Sequence, residues 1–523
     1  MATASGVIAT GEAELRRSVT IWGSYAWGYA DVGADIYVAL GLVMGIAMGY
    51  ANIAFAFAGI VYVCIGLAYT ELAAAYPVAG GGQFFVNRAL GDFVGFIAGW
   101  AVLLDFTIDI ALFAWFTIGY ISFLIPWLGD HHVVYFILVI GVTAFLTALN
   151  AIGVKQSSRL NEVVGLIDVC TETFILVCGF TLVWHPEVLI HTMQTHAPTT
   201  DDLLKGISLA IISFVGLESI SHAAEETQRP ASVMPRSSVA LILTILIFAL
   251  AYSNLALGMT AVDPATHQVV PMYQYIGSAD HNDKAVAVLA SQIPVVGVFF
   301  ALYIPIIGAL LVLISSNSGV FGASRIAYSM GKFRLLPSFF QTTHPKTQTP
   351  LISILIFSGF AVVLLSVAFV QGNGALNFLA DLYAFGAALS YTLVFVALIV
   401  LRFTDSAAPR RFRMPWNIPM TIAGRRGDLS LLSVLGLLGI FAILIFTLMT
   451  HVYGRIAGPT WVILGIIGYM FYRKRNGAPI FGSLKRDWVK LHEKTLTSAG
   501  ELDMLDEYRE SVARDAGEAT GKA

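Results

Sequence analysis

The stretch "YADVGADIYVALG", Tyr29 to Gly41, places Asp31 and Asp35 on either side of Gly33 inside a run otherwise apolar enough to cross a membrane. The run covers 21–48. As one straight helix of about 28 residues it would be about 42 Å long, against a hydrocarbon core of about 30 Å. It must therefore tilt strongly or break, and Gly33, near its middle, is the natural breaking point. An ionised carboxylate at bilayer depth is costly unless it faces a wet cavity, holds a proton or meets a cation. The stretch thus predicts an interrupted membrane helix beside a path for something positive.

The rest of the chain suits that environment. Of its 523 residues 57% are hydrophobic and 12% charged, with a mean hydropathy of +0.76, where a soluble chain carries about 25% charged residues. Apolar runs predict twelve spans, at 21–48, 52–75, 93–125, 132–152, 161–184, 204–224, 238–260, 294–321, 350–370, 376–402, 430–450 and 458–472. With the N-terminus in the cytoplasm, 27 of the 30 Lys and Arg fall on the inner side; Lys205, Lys284 and Arg455 fall outside. That asymmetry predicts a multi-pass plasma-membrane protein with both termini cytoplasmic. Its parts are a short tail at 1–20, a membrane domain at 21–472 and a polar tail at 473–523. Residues 1–20 lack the pattern of a cleavable signal. Cys64, Cys170 and Cys178 lie in apolar runs and read as small core hydrophobes. The glycine-rich "GNGALNF" (372–378) has no Walker lysine, and neither metal-ligand spacing nor a nucleophile–base motif stands out. Nothing points to nucleotide hydrolysis, an enzyme, a cofactor or a nucleic-acid partner. The partners to expect are the lipid bilayer and a small-molecule solute; composition is silent on oligomeric state.

Asp31, Asp35, Asp105, Asp109, Asp168, Glu172 and Glu218 all sit within expected spans, with no intramembrane Lys or Arg to match them. Asp105 and Asp109 in "LLDFTIDIALF" are i and i+4, so they share a helix face. Two like charges there favour a shared proton. Hydrogen bonding to a neighbouring helix is the simpler role for Asp105, and a solute cavity for Asp109.

Three stretches carry a family resemblance, and they occur in the right order. "YTELAAAYPVAGGGQFFVNRALGDFVGFIAGW" (69–100) resembles the second helix, glycine-rich turn and third helix of the amino acid–polyamine–organocation permeases. "FVGLESISHAAEETQRPASVMPRS" (214–237) resembles their sixth helix, and "NSGVFGASRIAYSMGKFRLLPSFFQTTHPKTQTP" (317–350) their eighth helix and following loop. The tenth helix followed by "PRRFRMPWNIP" fits as well, so the match covers nearly all of 20–470. The resemblance implies an all-helical LeuT-like membrane fold. Two inverted repeats of five helices, at about 21–184 and 204–402, would be followed by two extra helices at 430–472, with helices 1 and 6 unwound at midplane. Gly33 and Gly216 are the expected breaks, and broken helices in corresponding positions point to the substrate site. It implies secondary active transport, ion-coupled and by alternating access, of an amino acid or related organic cation.

Site residues follow from that resemblance. A substrate carboxylate would sit on the N–H groups after Gly33, near Ala34 and Ile36, and its ammonium on carbonyls near Gly33 and Phe214 to Gly216. Where Asp35 stands, relatives usually have a small residue. Asp35 then either caps the half-helix itself, replaces the substrate carboxylate so that the site prefers a cation, or carries the coupling proton. Glu218 matches a family position just past the helix-six break, for substrate or gate contact or for packing; Tyr383 matches a tenth-helix position that faces the cavity in relatives, or is an interfacial or core tyrosine. In the fifth helix many proton-coupled relatives carry a lysine near Asp168; here Asp168 and Glu172 stand instead. Asp168 either serves coupling (H+ or Na+), by ligating a cation together with Ser315 or Ser316 or by titrating directly, or is a buried structural hydrogen-bonding residue. Glu71, Arg88, Glu225 and Glu226, at cytoplasmic ends, are candidates for inner-gate ion pairs, or simply surface charge. A potassium-uptake branch of the same family shares an acid near Asp31, the "L-L-D" aspartate and a tyrosine like Tyr383, so inorganic cation or polyamine uptake is the nearest rival. A solute sensor signalling through 473–523 is a rival of another class; there Leu484, Trp488 and Leu491 lie opposite Lys485, Arg486 and Lys490. That pattern suits either an anionic membrane surface or a solvated tail.

Overall fold

In lipid every backbone N–H and C=O must find its partner within the segment, so apolar runs of this length become helices. The computed structural model describes residues 19–78, 80–153, 158–222, 227–262 and 267–520. The first half comprises α1 (Ile21–Val32), α2 (Asp35–Ala47), α3 (Ala51–Ala75), α4 (Gly81–Leu90), α5 (Asp92–Leu124), α6 (Trp127–Asp130), α7 (His132–Ile152) and α8 (Ser158–Leu182). It continues with α9 (Pro186–Thr195), α10 (Thr200–Ala210), α11 (Glu218–His222), α12 (Pro230–Leu257), α13 (Met272–Ile276), α14 (Ala285–Ser291), α15 (Gly297–Lys332), α16 (Leu351–Val370) and α17 (Ala375–Thr404). The chain closes with α18 (Leu431–Thr450), α19 (Gly454–Arg475) and the tail helices α20 (Trp488–Ala499) and α21 (Leu502–Thr520). Among the described residues eleven helical stretches are long and apolar enough to span a membrane; the first, Ile21–Ala75, takes in two of the expected spans.

The two expected breaks differ. Before Gly216 the chain tightens into a 3-10 turn over Ile211–Phe214, then Val215 is extended and Gly216 has φ 97° before α11 begins. That φ is open to glycine and strained for other residues. At Gly33 the expected unwinding shrinks to a two-residue lapse. Gly33 (φ −62°, ψ −30°) and Ala34 (φ −71°, ψ −18°) stay right-handed helical, and the Gly33 N–H still reaches the Tyr29 carbonyl at 2.8 Å. The cause is local: the Tyr29 ring folds over Gly33, so a Cβ there would lie 2.7 Å from it.

Other boundaries moved for equally local reasons. The α15 helix passes its expected end at 321 and carries Arg325 and Lys332 beyond the apolar run. The basic 402–429 segment contains a hairpin, β1 (Asn417–Ile422) and β2 (Arg425–Ser430), paired from Asn417↔Ser430 to Ile422↔Arg425. Its turn residues Ala423 and Gly424 both have positive φ, as a two-residue hairpin requires. Inside the bundle α5 packs along α15 and α17 and is buried over most of its length. By contrast α7, α16, α18 and α19 turn large apolar side chains such as Ile137, Val363, Leu438 and Ile463 outward, the face a bilayer would cover. Asp381 of α17, an acid outside the expected set, lies 2.7 Å from His451 Nδ1, and His451 also meets Ser208; the buried trio ties the end of α18 to α10 and α17.

Candidate functional site

The α5 helix sets Asp105 and Asp109 one turn apart on one buried face. Across from it α17 brings Tyr383 to face Asp109 and, two turns on, places the Tyr391 hydroxyl 2.7 Å from Glu218 Oε2, donating to it. Glu218 opens α11 just beyond the Gly216 break and faces the Asp105 carboxyl. Asp31, in the last turn of α1, accepts from the Ser219 hydroxyl, and its carbonyl accepts from Ser315 at 3.3 Å. Its carboxyl lies against Gly216, where an added methyl would come within 3.0 Å of Oδ2. Asp35 completes the group, with Asp31, Asp105, Asp109 and Glu218 as its charged neighbours.

These five acids are at most 4% exposed, and none of the ion pairs among the described residues involves them. One oxygen each of Asp35, Asp105 and Asp109 is buried without a hydrogen-bond partner among the described residues. Asp35 does not cap α2, whose N-terminus has no side-chain cap, so the capping role is corrected. A carboxylate cluster of this kind must lose charge by taking up protons or by holding a cation. Ala34 and Ile36 are buried beside it, and Phe214 stacks on Tyr62 at 4.8 Å, flooring the break.

A second acidic centre lies on the other side of the first helix. Asp168 of α8 accepts from Tyr29 at Oδ2 and from Tyr37 at Oδ1, both at 2.7 Å, and Glu172 accepts from Tyr29 at 3.3 Å. Tyr29 and Tyr37 stand four residues before and after Gly33, so one carboxylate joins both halves of the interrupted helix. The expected grouping of Asp168 with Ser315 or Ser316 is corrected: Ser315 turns to the Asp31 carbonyl, and Ser316 donates to the Ile110 carbonyl at 3.0 Å. Phenol donors reach Asp168 from closer by than either serine.

At the end of the bundle where the basic loops gather, Glu71 and Arg88 are buried rather than surface charge, and each takes a partner from the end of α17 or just after it. Glu71, fully buried, is bridged by Arg402, with Nε at 2.9 Å from Oε1, approached by Arg410 at 3.4 Å, and bonded by the Met414 N–H at 2.8 Å. Arg88 pairs with Asp405 at 2.7 Å, and the Tyr76 hydroxyl donates to the same carboxylate at 2.7 Å. Burial works against the Asp405 carboxylate, but Arg88 and Tyr76 outweigh it and hold its pKa below the usual range. Glu225 and Glu226 lie outside the described residues. The tail docks here rather than on lipid or in solvent. Trp488 packs edge-on against Phe84, the Arg486 guanidinium meets Asp92, and His492 lies between Tyr76 and Tyr508. Burial, reinforced by Arg88, pushes His492 down to about 3.

Sequence reasoning gave Asp105 a packing role and passed over Tyr29, Tyr37, Tyr391 and Ser219. The signal was present for the tyrosines: two flank Gly33 symmetrically, and Tyr391 follows Tyr383 by eight residues, about two helical turns.

A family model described as amino acid permease matches residues 20–472. The branched-chain amino acid permease BcaP of Bacillus subtilis is 25% identical over 489 residues, covering 89% of this chain and 95% of that protein. The low-affinity putrescine importer PlaP of Escherichia coli is 26% identical over 397 residues, covering 75% and 82%. Among solved structures, the Eremococcus coleocola manganese transporter superposes with a TM-score of 0.51 at 14% identity, over 89% of this chain and all of that one, which speaks for the shared LeuT-like fold. With the family model spanning the whole membrane domain, the chain belongs to the amino acid permease family of secondary transporters for amino acids and related organic cations.

Proposed function

We propose that this permease carries an organic cation without a free carboxylate, a polyamine or simple amine, driven by a proton that binds at Asp168 and Glu172. The observation that carries the reading is Asp35, buried among four other acids with an oxygen that has no partner among the described residues. A zwitterionic substrate brings its own carboxylate, which that acid would repel; an amine brings only the charge the cluster lacks. Aromatic rings at Tyr62, Phe214 and Tyr383 suit a cation on their faces. The putrescine-importing relative supports the same class. Under this reading the protein sits in the plasma membrane with both termini cytoplasmic, and the Glu71–Arg402 and Arg88–Asp405 pairs form the inner gate.

The test is uptake into proteoliposomes of putrescine, arginine, leucine and potassium, wild type beside Asp35→Asn. One charge pair at about 4 Å is worth about 4 kcal/mol at an effective dielectric of about 20, so putrescine uptake should fall at least about 100-fold in the variant. Leucine carried equally well by both proteins, with putrescine unaffected, rules the reading out. Uptake dominated by potassium replaces it with an inorganic-cation site.

A further inference from the structure

A recess of about 710 Å³ opens between the first turns of α12 and the α20–α21 turn. Three arginines line it: Arg229, Arg236 and Arg411. Two acids line it as well, and both are engaged. Asp503 pairs with Arg411 at 2.6 Å, and Glu501 accepts from the Ala231 N–H at 3.1 Å. Arg229 feels the nearby Glu501 carboxylate, yet neither Arg229 nor Arg236 makes a side-chain hydrogen bond or ion pair among the described residues, so three arginines against two acids leave the recess net positive. Arg229 also adopts φ 44°, a left-handed conformation that non-glycine residues hold mainly where surrounding structure or function demands it.

The recess has a second, apolar side. Arg236 lies on the same helical face as Val239, Leu243 and Ile247, at i+3, i+7 and i+11. Those three are 36, 52 and 59% exposed along a helix that reads as a membrane span. Leu502, 58% exposed, and Pro235 form the lip between that stripe and the arginines. A cationic wall thus sits at the end of a lipid-facing stripe, the level where headgroups begin.

We infer that this recess binds the phosphate of an anionic glycerophospholipid, with Arg229 and Arg236 on the phosphate and an acyl chain along Val239, Leu243 and Ile247. A soluble phosphate would use the arginines and leave the stripe idle. Because one wall belongs to the tail, the bound lipid bridges α12 to the α20–α21 turn.

The test uses the full chain in neutral detergent and follows binding of phosphatidylglycerol, phosphatidylcholine and inorganic phosphate by native mass spectrometry. Wild type should retain phosphatidylglycerol in preference to phosphatidylcholine. Arg229→Gln and Arg236→Gln should each weaken it about fivefold, and together about 25-fold. Millimolar inorganic phosphate should not displace it. An unchanged affinity in the double variant overturns the proposal. So does an equal loss in the hairpin control Arg425→Gln/Arg426→Gln, which would indicate general charge attraction. Displacement by inorganic phosphate overturns it in favour of a soluble-anion site. A melting temperature equal to wild type in phosphatidylcholine verifies folding; should the double variant unfold, Arg236→Gln alone carries the comparison.

Discussion

Replacing Asp168 by Asn tests whether the second acidic centre governs the first helix. In the native arrangement two phenols donate to the two oxygens of one carboxylate, Tyr29 and Tyr37 each at 2.7 Å. Asparagine keeps one acceptor oxygen and presents an NH2 where the other stood, so one phenol loses its acceptor. A hydrogen bond to a charged group is worth about 1.5–3 kcal/mol, and a shift of that size moves a two-state equilibrium about 10- to 150-fold. The affected equilibrium is the angle between α1 and α2, because the two phenols belong to opposite sides of the Gly33–Ala34 lapse. In proteoliposomes, accumulation driven by an imposed pH gradient should collapse in Asp168→Asn. Exchange of labelled for unlabelled substrate at equal pH should persist, since Asp31, Asp35 and Asp109 are untouched. Tyr37→Phe should reproduce the defect more weakly, as Tyr29 still holds Asp168. Gradient-driven accumulation by Asp168→Asn at the wild-type level would refute the assignment of Asp168 to coupling.

Glu71→Ala removes one partner of a buried pair whose Arg402 is 4% exposed, and should cost about 3–5 kcal/mol of stability in denaturant titration; Glu71→Gln should cost less, because its amide oxygen can still accept from the Met414 N–H. Gly216→Ala places a methyl within 3.0 Å of Asp31 Oδ2 at φ 97°, and should cut uptake about 5- to 150-fold for about 1–3 kcal/mol of strain; Gly359→Ala, with nothing within 4 Å, is the silent control. For the docked tail, His492 is neutral when packed with a pKa of about 3, against about 6.5 when free. Docking is therefore at full strength above about pH 6.5 and weakens as pH falls towards 3, by about 2 kcal/mol at pH 5. Asp405, held low by Arg88, adds to the loss in the same direction at lower pH. Hydrogen exchange over 488–508 should rise between pH 7 and pH 5 in wild type and stay flat in His492→Phe.

How much of this is legible in the sequence depends on the range of the interaction. The spans are read well because lipid imposes one rule on every backbone group, and a run such as Leu351–Val370 has no alternative. The Gly216 break is legible for the same reason, since an acid two residues after a glycine inside a span needs a reason to be there. The Gly33 break is overestimated because the ring of Tyr29 closes over the glycine, a contact that spacing alone does not reveal. Asp31, Asp35, Asp109, Glu218 and Tyr383 come together as the sequence suggests. The partners of Asp168 and Glu71 do not, because hydroxyls and guanidiniums from helices 131 or 331 residues away decide them. The tail fails in a third way. Its amphipathic pattern is real, but Trp488 finds Phe84 and Arg88 rather than a bilayer, and a hydrophobic stripe does not name the surface it will meet.

The two acidic centres share one short piece of chain. Asp31 and Asp35 lie two residues before and after Gly33 and belong to the five-acid cluster; Tyr29 and Tyr37 lie four before and after and belong to Asp168. A cation at the first centre and a proton at the second therefore act on the same two-residue lapse, without any relay through distant helices. Two ligands that bias one bistable element are thermodynamically coupled, and the coupling is reciprocal. Under the proposed mechanism, the factor by which pH changes substrate affinity must equal the factor by which substrate changes proton affinity. Calorimetric binding in buffers of different ionisation enthalpy measures both from one data set. Asp168→Asn should bring both factors to one together, whereas a proton site elsewhere would leave them intact.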